Sequence, residues 1–212
     1  AHLHPNNFKP DRTKLHKSLS DGKPYFFIRT VMANSKHDNG KSGIDDNLLR
    51  KIISRFEKEG KVILNSERPL PQDLLKYQLN YKKNDIAHYL YFAKLVIGDS
   101  TTMSAEAAVL GTPSIEIDDW FSDFQQYQEL NGKYRLMQGF DLDDEVGVLN
   151  LLDEYLAIEN LDSEFQNRRQ KMLEDKIDVS AFLIWIIEFY PNSINEYKKN
   201  HDIQLKLNLN VQ

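Results

Sequence analysis

The sequence predicts an α/β fold, a parallel sheet of about six strands flanked by helices. Three observations lead there. Short apolar runs recur along the chain, and an amphipathic stretch at helical spacing separates one run from the next. Small and polar residues gather directly after the apolar runs, where the loops of a parallel sheet would lie. Residues 95–117, LVIGDSTTMSAEAAVLGTPSIEI, read as a complete strand–helix–strand unit.

Bulk properties narrow the function. The chain has 212 residues, 41% of them apolar, enough for one substantial core or two small ones. Lys and Arg total 27 against 32 Asp and Glu, a net charge of −5, which argues against nucleic acid as a partner. No run approaches the roughly 18 apolar residues of a membrane span. With no cysteine, disulfides and thiolate metal sites are excluded, and a cytoplasmic protein is expected.

Residues 1–20 read as an interdomain linker followed by a short helix from Asp11. His2 and His4 have no further metal-ligating residue beside them, so no metal site is assigned. Residues 21–190 form the expected α/β domain, and 191–212 a tail. YFFIRTV (25–31) is dense in aromatic and β-branched residues and reads as a buried strand. Arg29 lies inside it, and a charge there must find an acid or point into a cleft. The polar loop that follows holds His37 and Asp38, a catalytic pair or a solvated contact. Ile44, Leu48, Leu49, Ile52, Ile53 and Phe56 mark one face of a helix over 44–59. Gly60 ends it, and 61–65 is the next strand. SERPLP (66–71) lies at that strand's carboxyl end, where Ser66, Glu67 and Arg68 either line the cleft or carry surface charge.

Residues 73–77 are a short helix and 78–81 an edge strand or turn. Asn84 is expected to cap a helix carrying Ile86, Tyr89, Leu90 and Phe92. The central unit then has its strands at 95–97 and 114–117 and its helix at 103–110. Residues 118–136 are rich in aromatics and enter a helix near Ser122. Asp118 and Asp119 are adjacent, so they point different ways and do not suggest Mg²⁺. A last strand is expected near 136–140, then helices over 143–156 and 163–174. DVSAFLIWIIEFY (178–190) is apolar nearly all round and too short for a bilayer, so it reads as a packing helix stopped by Pro191, buried against a partner domain or, where that partner is absent, partly exposed or self-associating. The tail beyond Asn200 is a frayed strand or disordered.

The turn after the central unit's first strand carries the chemistry. A parallel strand running into a helix leaves backbone N–H groups free at the helix N-terminus, where an anion is favoured. Gly98 permits a tight bend, and Ser100, Thr101 and Thr102 add hydroxyl donors. Glu106, one to two turns further on, has a carboxylate able to accept from two vicinal hydroxyls. The alternative is that Ser100 and Thr101 cap the helix and Glu106 is solvated.

Asp99, Ser100, Glu106, Ala107, Gly111 and Pro113 resemble the D-S-x-x-x-x-x-E-A-x-x-x-G-x-P signature of the C-terminal domain of UDP-N-acetylglucosamine 2-epimerases and related GT-B glycosyltransferases. GDSTTMSAEAAVLGTP is more similar still to an uncharacterised prokaryotic family of that superfamily, a domain of unknown function. The resemblance implies a Rossmann-like domain, the C-terminal half of a GT-B architecture. Its partners would be an N-terminal domain of the same protein and a sugar nucleotide, with a homodimer as a further expectation and no cofactor required. It implies a UDP-sugar as substrate, with the diphosphate on Ser100, Thr101 and Thr102, the ribose on Glu106 and the base near Leu79 and Tyr81. Arg29 would neutralise phosphate charge, and His37 would act as acid, base or donor contact. The function implied is the donor-binding domain of a glycosyltransferase. The alternatives are a 2-epimerase-like enzyme and a non-catalytic nucleotide-binding or interaction domain. This chain alone would turn nothing over. The stretch around Glu116 and Asp118 departs from the pattern, which has a basic residue and an Asn nearby, and sugar or acceptor specificity is what that departure touches.

Overall fold

The aromatic run at 25–30 supplies the middle of the sheet. In the computed structural model, which describes residues 2–31, 43–119, 121 and 125–207, Tyr25–Thr30 is β1, with Phe26, Phe27 and Ile28 fully buried. Asp46–Glu59 (α1) follows; the Asp45 carboxylate caps it by accepting from the N–H groups of Asn47 and Leu48. Lys61–Ser66 (β2) pairs with one side of β1, and Leu95–Gly98 (β3) with the other. Ser114–Ile117 (β4) and Met137–Phe140 (β5) complete a parallel sheet in the order β2-β1-β3-β4-β5. The sheet has five strands among the described residues, where about six were expected. Residues 78–81 form no strand, because Tyr81 turns inward to pack on Phe27 and Tyr89.

The strand order reverses between β1 and β3. Parallel α/β sheets bind ligands in the crevice outside the carboxyl ends at such a reversal. Here that crevice is bounded by Val31, at the end of β1, and Asp99, at the end of β3.

Each face of the sheet is covered by apolar side chains. Phe26 stacks on Phe56 of α1 with ring centroids 4.2 Å apart. Glu145–Ala157 (α5) lies beside α1, joined by the Arg55–Asp153 ion pair at 2.7 Å. On the opposite face, Phe27 meets Tyr81 and, through it, Tyr89 of Ile86–Phe92 (α2), which packs beside Thr101–Val109 (α3). A turn of 3₁₀ helix, Lys83–Asp85, leads into α2, so Asn84 sits inside that turn and is not the cap expected of it. α3 begins two residues before the expected position. It ends at Gly111, whose φ of +80° is a left-handed conformation that suits glycine, and Thr112 then donates to the Leu90 carbonyl at 2.9 Å. Gln125–Gln128 (α4) lies between β4 and β5, and the predicted start near Ser122 falls outside the described residues.

Two compact units divide the chain: Pro10–Arg169, which holds the sheet, and Ala1–Lys9 with Gln170–Gln212. Leu161–Asp175 (α6) crosses the boundary. In the second unit, Asp178 caps Val179–Glu188 (α7) through the Ala181 N–H and accepts from Asn6 at 3.1 Å. Leu183, Ile184 and Ile187 of α7 are exposed, Ile187 to 75%, so among the described residues this helix is not buried, and its apolar surface is open as expected where no partner domain packs on it. A cis Tyr190–Pro191 bond precedes Asn192–Lys199 (α8), a helix not expected from the sequence, and a 3₁₀ turn follows at His201–Lys206. Among the described residues no helix is long and apolar enough to cross a membrane.

Candidate functional site

Three residues at the end of β3 build the mouth of the crevice. A Cβ at Gly98 would lie 2.4 Å from the Arg29 carbonyl oxygen and 2.9 Å from the Arg29 Cβ, so glycine is what lets β3 approach β1 this closely. Asp99 turns back toward β1. Its carboxylate accepts from the Val31 N–H at 2.7 Å and from the Ile44 N–H at 3.0 Å, tying the end of β1 to the lead-in of α1. Gly43 makes room, since a Cβ there would sit 2.1 Å from an Asp99 oxygen. Burial raises the Asp99 carboxyl to about 6 despite those two donors, which favour its charged form.

Ser100 occupies the N-cap position of α3, yet its side chain makes no capping hydrogen bond. The first α-helical bond runs from the Ser104 N–H to the Ser100 carbonyl at 3.0 Å, so the N–H groups of Thr101, Thr102 and Met103 have no acceptor within the helix. Thr102 is exposed, whereas Ser100 and Thr101 are half-buried. The Thr101 hydroxyl donates to Asp118 at 3.3 Å. An uncapped helix N-terminus with three hydroxyl side chains, facing the crevice at the sheet's reversal point, is an anion site in chemical character. Glu106 is half-buried on the second turn of the same helix.

The remaining predicted residues stand as follows. The Arg29 side chain is only 12% exposed, and its guanidinium is held by Asn65 and Glu67, with Nε buried and unpartnered. Tyr81 is half-buried against Phe27 and Tyr89, and burial pushes its hydroxyl up to about 12. Leu79 lines a cavity of about 330 Å³ with Lys61, Val62 and Ile63, beside the half of β2 away from its carboxyl end. His37 lies outside the described residues. The Arg68 guanidinium donates to the Ile44 carbonyl at 3.0 Å and pairs with Asp46 at 2.7 Å, so it fastens the lead-in of α1. Beyond β4 and β5, an open hollow of about 400 Å³ is lined by Asp119, Asp141, Leu142 and Asp143, and Asp119 accepts from the Leu142 N–H at 2.9 Å. Among the described residues no cluster of acids or histidines is arranged to hold a metal ion.

One residue of the site escapes sequence reasoning. Strand register sets Asn65, Arg29, Gly98, Glu116 and Gly139 in a single row across all five strands on one face. Ser114, two residues before Glu116 on that face, donates to the Ser104 carbonyl, so Glu116 lies under the first turns of α3. It is completely buried, and among the described residues neither carboxylate oxygen has a hydrogen-bond partner. Burial drives its carboxyl well above the usual range; Ser104 and Thr101 lie near enough to oppose this, without reaching hydrogen-bond geometry, and the charges of Asp118 and Asp99 add to the rise. In SIEI, alternation alone would have placed this Glu on a solvated face.

With this geometry in hand, comparison with known proteins defines the fold. No protein-family model matches the sequence, and no curated protein does. Among solved structures, the spinosyn forosaminyltransferase SpnP matches 76% of this chain at 20% identity with a TM-score of 0.51, over 43% of its own length. A Listeria monocytogenes protein described as a UDP-N-acetylglucosamine 2-epimerase matches 81% at 12% identity with a TM-score of 0.50, over 49% of its length. The chain has a Rossmann-like fold similar to one half of the GT-B architecture. It spans less than half the length of either of these proteins, and identities this low speak for the fold alone.

Proposed function

We propose that this GT-B half-fold is the donor-binding domain of a sugar-nucleotide-dependent glycosyltransferase, with the nucleoside diphosphate seated on the N-terminus of α3. The observation that carries the reading is the uncapped first turn: a Ser stands at the cap position, its hydroxyl makes no capping bond, and three N–H groups point out of the helix at the sheet's reversal point. A diphosphate there would accept from Thr101–Met103 and from the hydroxyls of Ser100 and Thr102. Glu106, on the next turn, would accept from the vicinal hydroxyls of the ribose. Arg29, one strand away across Gly98, would add positive potential as the diphosphate leaves with its charge. The acids lining the hollow beyond β4 and β5 would accept from hydroxyls of the sugar. A cytoplasmic setting, where sugar nucleotides are plentiful, fits this reading.

Glycosyl transfer needs an acceptor and a second wall to the cleft, so turnover belongs to the protein of which this domain is a part. Binding can be tested on the domain itself. Glu106→Ala is expected to weaken UDP binding by about 10- to 100-fold, the loss of charge-assisted bonds to two hydroxyls. Calorimetry on the variant checks it, and an unchanged affinity would remove the ribose assignment.

A further inference from the structure

We propose that Glu116 controls anion binding at the N-terminus of α3, because its own negative charge and a bound anion compete for the same helix end and exclude one another. The inference rests on reading that end as the diphosphate site, and it adds a specificity-determining residue that never touches the ligand.

The geometry supports it in three ways. First, Glu116 is fully buried between Ile115 and Ile117, with both oxygens unpartnered among the described residues. A buried carboxylate without donors is costly, and an apolar residue would pack the same strand position without that cost. Second, it sits on the face of β4 that carries α3, beneath the turn holding Thr101 and Ser104. A negative charge at a helix N-terminus is stabilised by the same unpaired N–H groups that would hold a phosphate. Third, among the described residues none supplies a counter-ion to the charge of Glu116. Asp118, just past the end of β4, and Asp99, just past the end of β3, both oppose its ionisation. α3 presents only the hydroxyls of Thr101 and Ser104, and β5 presents Gly139, over which the Phe121 ring is packed. Arg29 shares the face two strands away, but its guanidinium is turned to Asn65 and Glu67. With Glu116 neutral, the helix end is available to an anion. With Glu116 charged, that field is already spent and an arriving phosphate is repelled.

The test uses two anions whose charge stays constant from about pH 6.5 to about pH 8, inorganic sulfate and UDP-N-acetylglucosamine. Each is titrated into ¹⁵N-labelled protein while the amide signals of Thr101, Thr102 and Met103 are followed, for the wild type and for Glu116→Gln. The wild type is expected to lose about tenfold or more in sulfate affinity between the two pH values, and Glu116→Gln to bind equally at both. Wild-type affinity that does not change with pH, or a loss that persists in Glu116→Gln, overturns the proposal. The wild-type comparison stands even if the variant folds poorly. Sulfate binding with the expected pH dependence, but no UDP-N-acetylglucosamine binding, would support the role of Glu116 and count against the sugar-nucleotide reading. UDP-N-acetylglucosamine binding with no pH dependence would do the reverse. Absence of any perturbation of these amides by either anion overturns both.

Discussion

Gly98→Ala is expected to destabilise the domain by about 3 kcal/mol, the upper end of the usual cost of inserting a methyl group into a packed interior. The added Cβ would meet the Arg29 carbonyl oxygen at 2.4 Å and the Arg29 Cβ at 2.9 Å, and neither is the flexible tip of a side chain that moves cheaply. Relief requires β3 to move away from β1 at Arg29↔Gly98, the last pair of their ladder. That movement would pull Asp99 from the Val31 and Ile44 amides and shift the start of α3, so anion binding should weaken along with stability. Urea denaturation checks the first effect. A variant within about 0.5 kcal/mol of wild type would mean that the close approach of β1 and β3 is not enforced by this residue.

The second large effect is on pH dependence. A carboxyl whose pKa is higher in the folded than in the unfolded chain binds its proton more tightly when folded. The stability this brings is fully present below the unfolded pKa and is lost as pH rises through the folded one. For Asp99 the window runs from 3.8 to about 6, a loss of about 3 kcal/mol. For Glu116 it opens at 4.5 and extends well above, with the same sign. Acids lowered by their partners, such as Asp73 beside Arg50, act in the opposite sense, but their windows close near 3.8. Folding stability is therefore expected to fall from about pH 4 to about pH 6 and to go on falling above it, at fixed ionic strength. Asp99→Asn should flatten the lower part of that decline, and Glu116→Gln the upper part. A wild-type stability that rises across the interval would contradict the claim that burial disfavours the charged forms of both groups.

How much of this was readable in advance differs from one residue to the next. The strand–helix–strand unit at 95–117 was legible because an apolar run, a glycine turn, a small-residue helix and a Gly-Thr-Pro stop follow in order, each with its own local signature. The helix start was placed two residues late, since Thr101 and Thr102 are β-branched and weak helix formers, and here a helix end overrides propensity. The helix of α7 was legible but its burial only conditionally so: hydropathy reports what a side chain gains on burial, not whether a surface is there to bury it, and Leu183 is 52% exposed. Asp99 stood in the recognised motif, but its bonds to Val31 and Ile44 join residues far apart in sequence, which no local pattern reveals. Glu116 was the least legible, because its burial depends on strand register and on the helix above it.

The central claim is that a nucleoside diphosphate binds the N-terminus of α3. Its most direct test is calorimetric titration of the protein with UDP, ADP and GDP, repeated with Thr102→Asp. Thr102 is exposed, and Asp is well tolerated in a first helical turn, so the fold should survive while a carboxylate is set against the phosphate. Saturable binding of one diphosphate, weakened by about tenfold or more in Thr102→Asp, is the expected result. Binding of equal strength in the variant, or no binding of any of the three, would contradict the claim.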